Sequence, residues 1–368
     1  MLFRSIVFER DPRGMRLISG RKHVFPPSDG KHIITTLDEV IQYRAQKHLD
    51  AGVEKQEAEK GQVIVMDPKT GDILAMAQYP SFNANEWSQH SYSDRKNSCI
   101  SDVYEPGSVF KLITLAGALE EEIVSPKTTL FVPETYTLYG KTIKEAHKRE
   151  EGEQDNKSVE EIIVKSLNVG TSLLAEKLGK ERFFTYMEDF GFGHRTGIEL
   201  TGESKGILRP LNKWSGVDIA MISFGQGIAV TPVQMAAAIS SFANGGYLIK
   251  PRLVKYITNK EKNSLTGIPV TKKRQVVSRK TADEVKHIMK KVVDRGTGMI
   301  ARIPGYSVAG KTGTAQKAKV DGLGYEKGKY VSSFIGFFPV YDPQCLILVV
   351  VDSPKKRYYG SKIGRAHV

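Results

Sequence analysis

The stretch Tyr104-Glu105-Pro106-Gly107-Ser108-Val109-Phe110-Lys111-Leu112-Ile113-Thr114-Leu115-Ala116 holds a turn and a helix in one line. Glu105-Pro106-Gly107 is turn chemistry: proline presets φ, and glycine accepts backbone angles that other residues avoid. From Ser108 onward, Val109, Phe110, Leu112, Ile113, Leu115, Ala116 and Leu119 are apolar nearly all round a helix, which predicts burial. Ser108 then falls at a helix N-terminus, where free N–H groups and the positive dipole end favour a developing oxyanion. Lys111 follows at the i,i+3 spacing that puts both side chains on one face. It is the only charged residue between Ser108 and Glu120. A buried lysine is costly, but a neutral one can take a serine proton. The plainer reading is an N-cap serine beside a surface lysine.

Two further motifs follow downstream. Ser166-Leu167-Asn168 lies between two helical patterns and offers a hydroxyl for proton relay and a carboxamide for a substrate amide. Helix-end capping is the ordinary explanation of such residues. Lys311-Thr312-Gly313-Thr314 continues the extended stretch Tyr306–Gly310. Glycines on both sides of Lys311-Thr312 remove side chains where a ligand or another backbone must approach, and a peptide could lie along such a strand. Lys311 supplies positive charge, and the Thr312 and Thr314 hydroxyls suit a carboxylate. The Thr314 N–H can pair with that of Ser108 as an oxyanion hole. Each motif alone is common. In this order they resemble the set of class A β-lactamases and penicillin-binding proteins, where the middle motif reads Ser-Asp-Asn.

The surrounding chain sets the architecture. Residues 1–35 read as short strands and loops. Thr36-x-x-Glu39 predicts a capping box for a helix to about Gly52. Val63–Met66 and Ile73–Ala77, joined by Asp67-Pro68-Lys69-Thr70-Gly71-Asp72, predict a hairpin. Residues 78–107 read as loops, and 133–157 as a polar segment of little periodicity. Ser158, Thr231-Pro232 and Thr281 are predicted N-caps, and Gly179 and Asn244-Gly245-Gly246 predicted stops. Strands are expected at about 306–316, Val331–Phe338 and Leu346–Val351. Helices between strands at both ends predict an α+β domain whose antiparallel sheet draws on both termini.

Composition narrows the function classes. Of 368 residues, 40% are hydrophobic and 26% charged, the balance of a globular chain. Cys99 and Cys345 are too few for a disulfide framework and lack metal-ligand spacing. The net charge of +13 is local: residues 250–296 contribute +10 and residues 355–368 contribute +5. A basic segment can meet an anionic surface, but a solvated basic face is the plainer reading. Tyr256 is its only aromatic residue, which argues against nucleic acid. No apolar run is long enough to span a membrane. The ending Lys362-Ile363-Gly364-Arg365-Ala366-His367-Val368 has the look of a translated adapter, so residues 361–368 are expected to be a non-native tail.

These residues resemble the transpeptidase domain of class B penicillin-binding proteins of the division or sporulation type. Met66–Ala77 is similar to that family's opening hairpin, and Tyr104–Ser108 to its approach to the nucleophile. Phe224-Gly225-Gln226-Gly227, Gly296-Thr297-Gly298 and Ser333–Pro339 are also similar to family stretches. The resemblance implies the serine penicillin-recognising fold, with an antiparallel sheet flanked by helices and an all-helical part. It implies residues 1–55 as the end of a pedestal or linker and 56–360 as the transpeptidase domain. It implies a D,D-transpeptidase that forms a Ser108 acyl-enzyme on peptidoglycan stem peptides and is acylated by β-lactams. Lys111 would be the base, and Ser166 and Lys311 the proton path to the leaving amine. Asn168, Thr312, Gly313 and Thr314 would bind substrate, with no metal or organic cofactor. A membrane glycosyltransferase and other cell-wall synthesis proteins would be partners, at the extracytoplasmic face of the cytoplasmic membrane. The competing readings are a D,D-carboxypeptidase or β-lactamase and a β-lactam-sensing receptor. The hydrolases need an activated water, and no glutamate stands in a matching motif near Ser166.

Overall fold

The computed structural model describes residues 5–25, 30–146, 153, 155–259, 264–319 and 324–356. The proposed adapter tail, 361–368, lies outside the described residues. The chain divides into two compact units, residues 1–35 with 254–269 and residues 36–253 with 270–368. In the first unit, strands Ser5–Phe8 and Lys22–Phe25 pair antiparallel, and His32–Thr35, Val254–Asn259 and Ser264–Gly267 form a second antiparallel sheet.

The second unit carries every motif residue. Its main strands are β1 (Lys60–Met66), β2 (Ile73–Tyr79), β5 (Ala309–Ala318), β6 (Tyr325–Phe338) and β7 (Cys345–Asp352). A smaller hairpin, β3 (Thr135–Leu138) and β4 (Lys141–Lys144), stands apart from them. The five main strands form one antiparallel sheet in the order β5-β6-β7-β1-β2, so the sheet does draw on both ends of the sequence. β1 and β2 follow from apolar runs around a Pro-Lys-Thr-Gly turn, where Gly71 takes φ +78°. One face of the sheet packs on helix α1 (Glu39–Gln56) through Leu49, Val53, Val63, Val65, Ala75 and Ala77. α1 thus belongs to the unit that carries the sheet.

The other face packs on a helical layer. This comprises α2 (Lys111–Glu120), α3 (Val159–Val164), α4 (Asn168–Leu178), α5 (Pro232–Ser240) and α6 (Arg279–Arg295). α2 is buried from Lys111 through Leu119, as its all-round apolar pattern predicts. Burying each Leu or Ile there stabilises the fold by roughly 1.5–3 kcal/mol. The Phe110 ring meets Phe183 and Phe192 at centroid distances of 6.4 and 5.0 Å, which anchors the start of α2.

Several caps differ from expectation. Ser158 and Thr231 form complete capping boxes with Glu161 and Gln234. α6, however, is capped by Ser278, one turn before Thr281, whose N–H it accepts. α1 is capped by Asp38, because the Thr36 hydroxyl donates instead to the Ile73 and Arg252 carbonyls. α1 also runs past Gly52 to a left-handed Glu57. The segment read as featureless at 133–157 contains the β3–β4 hairpin, turned by Tyr139 and Gly140 at positive φ. The basic residues of α6 are largely paired: Lys280 with Glu122, Lys290 with Asp294, and Lys291 and Arg295 with Glu160.

Candidate active site

Ser108 sits in a short 3-10 turn, Gly107–Val109, that runs directly into α2. Gly107 takes φ +54°, and a Cβ on it would fall 2.6 Å from the Thr314 carbonyl oxygen. The nucleophile turn and the edge strand β5 therefore touch backbone to backbone. A Cβ on Gly313 would likewise meet Ser333 Oγ at 2.3 Å and Pro106 O at 2.8 Å. In an antiparallel strand the N–H and C=O of one residue point the same way. The Thr314 N–H thus faces the Ser108 turn with its carbonyl, which suits an oxyanion hole. Behind the turn, Glu105 accepts from Gly227 N–H at 2.8 Å, and burial raises its pKa.

The three motifs converge on one hydroxyl. Ser166 Oγ lies 2.9 Å from Lys311 Nζ and 3.4 Å from Lys111 Nζ. Lys111 Nζ also donates to the Ser166 carbonyl at 2.6 Å and to Asn168 Oδ1 at 2.7 Å. Lys111, expected to face Ser108, therefore spends its hydrogen bonds on the Ser166-Leu167-Asn168 loop. Ser166 reaches this position because it bridges α3 and α4 in the left-handed region, at φ +60°. A non-glycine residue there stores strain of order 1 kcal/mol, which surrounding structure must hold.

Both lysines are completely buried. Burial pushes the Lys111 ammonium down to about 7, partly opposed by the Glu145 carboxylate. Burial also lowers Lys311 strongly, reinforced by the nearby Lys111 charge. Two ammonium groups in one dry site repel, so the pair favours holding one proton rather than two.

Thr312 and Thr314 stand at i and i+2 on β5, on one face of the strand. Thr312 Oγ1 contacts Thr297 Oγ1 at 3.0 Å. In the sequence Thr297 stands out only through the glycines on either side, Gly296 and Gly298. Glu145 was missed altogether. It follows β4 directly, and its carboxylate accepts from the backbone N–H groups of Asn168 and Val169. No glutamate stands in a matching motif near Ser166 along the sequence, but the fold brings Glu145 to the Asn168 end of the same loop. Alternation of Tyr136, Leu138 and Ile143 about Tyr139-Gly140 was the signal that would have found the hairpin carrying Glu145.

Residues 61–367 match the family described as penicillin binding protein transpeptidase domain. The chain is 38% identical to stage V sporulation protein D of Bacillus subtilis, over 95% of this chain and 54% of that one. It is 32% identical to the Neisseria flavescens protein named "Probable peptidoglycan D,D-transpeptidase PenA", over 92% and 80% of the two chains. It superimposes on penicillin binding protein 3 from Mycobacterium tuberculosis, complexed with aztreonam, with a TM-score of 0.86 at 30% identity, covering 97% and 85%. The chain spans about half the length of the first curated relatives it matches.

Proposed function

Because the chain belongs to the penicillin-binding-protein transpeptidase family, we propose that it is a serine D,D-transpeptidase that cross-links peptidoglycan stem peptides. The observation that carries this reading is the placement of Ser166 Oγ within 2.9 Å of Lys311 Nζ and 3.4 Å of Lys111 Nζ. That placement supports a proton relay through the Ser166 hydroxyl between the two lysines.

In acylation, Ser108 Oγ bonds to the penultimate D-Ala carbonyl carbon. The developing oxyanion is held by the Ser108 and Thr314 N–H groups. Lys111, neutral and released from its ammonium contacts, accepts the serine proton. The C–N bond to the terminal D-Ala then breaks, and the departing nitrogen takes its proton through Ser166 Oγ, which Lys311 supports. The Asn168 carboxamide orients the stem-peptide amide, and Thr312 and Thr314 hold the terminal carboxylate beside the cleft that Gly313 keeps open. In the second half, an amine from a neighbouring stem attacks the ester carbon. The new C–N bond forms, the C–O bond breaks, and the amine proton returns to Ser108. No metal or organic cofactor enters any of these steps.

β-lactams acylate Ser108 as substrate mimics. The domain works at the extracytoplasmic face of the cytoplasmic membrane, beside a membrane glycosyltransferase and other cell-wall synthesis proteins. Family membership supports those last assignments. The paired basic residues of α6 favour a solvated face over a polyanion site. A stable adduct of fluorescent penicillin on the wild-type chain, absent in Ser108→Ala, tests the reading. Equal labelling of both proteins sinks it, and rapid turnover of benzylpenicillin replaces it with the hydrolase.

A further inference from the structure

Glu145 is part of no motif, yet it meets the site from a separate element. The β3–β4 hairpin is pinned to the core by Ile143, which is 3% exposed. Tyr136 on β3 donates to Glu176 on α4 at 2.7 Å. The end of β4 then delivers two contacts to the Asn168 turn. The Lys144 carbonyl accepts from Asn168 Nδ2 at 2.9 Å, and the Glu145 carboxylate accepts from the N–H groups of Asn168 and Val169. The carboxylate therefore sits over the positive end of α4, where an anion is stabilised. Asn168 is held from both sides, by Lys111 at Oδ1 and by β4 at Nδ2.

Among the described residues, few charged groups surround Lys111. Its neighbours are the Ser166 carbonyl and hydroxyl from the α3–α4 turn, Asn168 from α4, Lys311 from β5, and the Glu145 carboxylate beyond Asn168. Two lysines and one carboxylate are electrically balanced when the lysines share one proton. Among the described residues, no other carboxylate acts on that proton, so without Glu145 it is held more weakly in this buried site.

We propose that Glu145 is a positioning residue of this site, whose carboxylate both fixes the Asn168 end of α4 and supplies the counter-charge for the proton shared by Lys111 and Lys311. This rests on the serine-acylation reading above. Both Glu145 oxygens accept from backbone N–H groups of α4, which ties the carboxylate to the helix end.

The test is the rate of Ser108 acylation by fluorescent penicillin, followed from about pH 5 to about pH 9. Acylation needs neutral Lys111, so the rate rises with pH through the Lys111 titration. Removing a negative neighbour lowers that titration. The acid limb of Glu145→Gln should therefore move down by about one pH unit, while Glu145→Asp stays close to wild type. An unmoved or raised midpoint in Glu145→Gln overturns the proposal, even if the rate falls at every pH, because a merely structural cap would do that. Glu145→Ser, which can still accept from a helix N–H, answers the same question should Glu145→Gln be unstable. Ser108→Ala labelling as fast as wild type would instead overturn the acylation reading itself, so the two failures are separable.

Discussion

A Cβ on Gly225 would lie 2.2 Å from the carbonyl oxygen of Gly107. The same two residues share a hydrogen bond, Gly107 N–H to Gly225 O at 3.1 Å, and both take positive φ, +54° and +83°. The turn that presents Ser108 is thus braced from behind by bare backbone. Gly225→Ala must push the turn forward or deform it. A displacement of about 1 Å at a nucleophile can cost ~100-fold in rate. Acylation of this variant should fall by about that factor, with a stability loss of about 1–3 kcal/mol in thermal melts. Wild-type acylation by Gly225→Ala would show that the brace does not set the geometry.

Ser166 offers a separation of stability from chemistry. Ser166→Gly removes the strain of φ +60° and also removes the hydroxyl between the two lysines. The variant should melt at or above the wild-type temperature while acylating ~100-fold more slowly or worse. Retained acylation would exclude Ser166 from the proton path.

The Lys111 titration sets a pH dependence with a definite sign. Its folded value near 7 lies below the reference of 10.5, so the unfolded chain binds this proton more tightly. Between about 7 and 10.5 the contribution of Lys111 to stability grows with rising pH, and at lower pH the buried ammonium is at its most costly. Acylation should fall as pH drops through about 7, since the base is then protonated. A rate that is flat from pH 6 to pH 8 would remove Lys111 as the titrating base.

Asp72 and Arg252 form a nearly buried pair, with side chains 12% and 10% exposed and Arg252 Nε donating to Asp72 Oδ1 at 2.6 Å. The pair locks the β1–β2 turn to the chain at Arg252, whose N–H donates to Gly71 O. Asp72→Ala removes the carboxylate paired with this nearly buried guanidinium and should cost about 3–5 kcal/mol in denaturant unfolding. A loss below about 1 kcal/mol would mean the arginine finds water.

Local patterning made much of this legible. Alternation and turn chemistry located β1, β2, β6 and β7, because those strands are read by their own neighbours. The all-round apolar pattern of Leu112–Leu119 announced a buried helix, and with it the oddity of Lys111. The Ser158 and Thr231 boxes were readable because both partners lie within four residues. Thr36 and Thr281 misled for the opposite reason: distant carbonyls claimed the first hydroxyl, and an earlier serine capped ahead of the second. Glu145 was easy to miss because its partners are 23 and 24 residues away, and only the strand alternation about Tyr139-Gly140 pointed to the hairpin it follows. Lys111 is buried, as the apolar pattern around it implied, but its contacts with Asn168 depend on a turn that no periodicity encodes.

The order of strands in the sheet has a consequence for biosynthesis. Leu346 to Asp352 pair with Met66 to Lys60, so the centre of the sheet joins segments nearly three hundred residues apart in the sequence. β5, the strand touching the Ser108 turn, is tied into the sheet only through β6 and β7. A nascent chain can complete its helices early, but contacts of such long sequence separation form late. The helical half must then wait, its sheet-facing apolar surface uncovered, until the later strand β7 has been made. Arrested chains stopped before residue 345 should remain unlabelled by penicillin and should recruit chaperones; labelling of such a chain would show that the nucleophile assembles without the sheet.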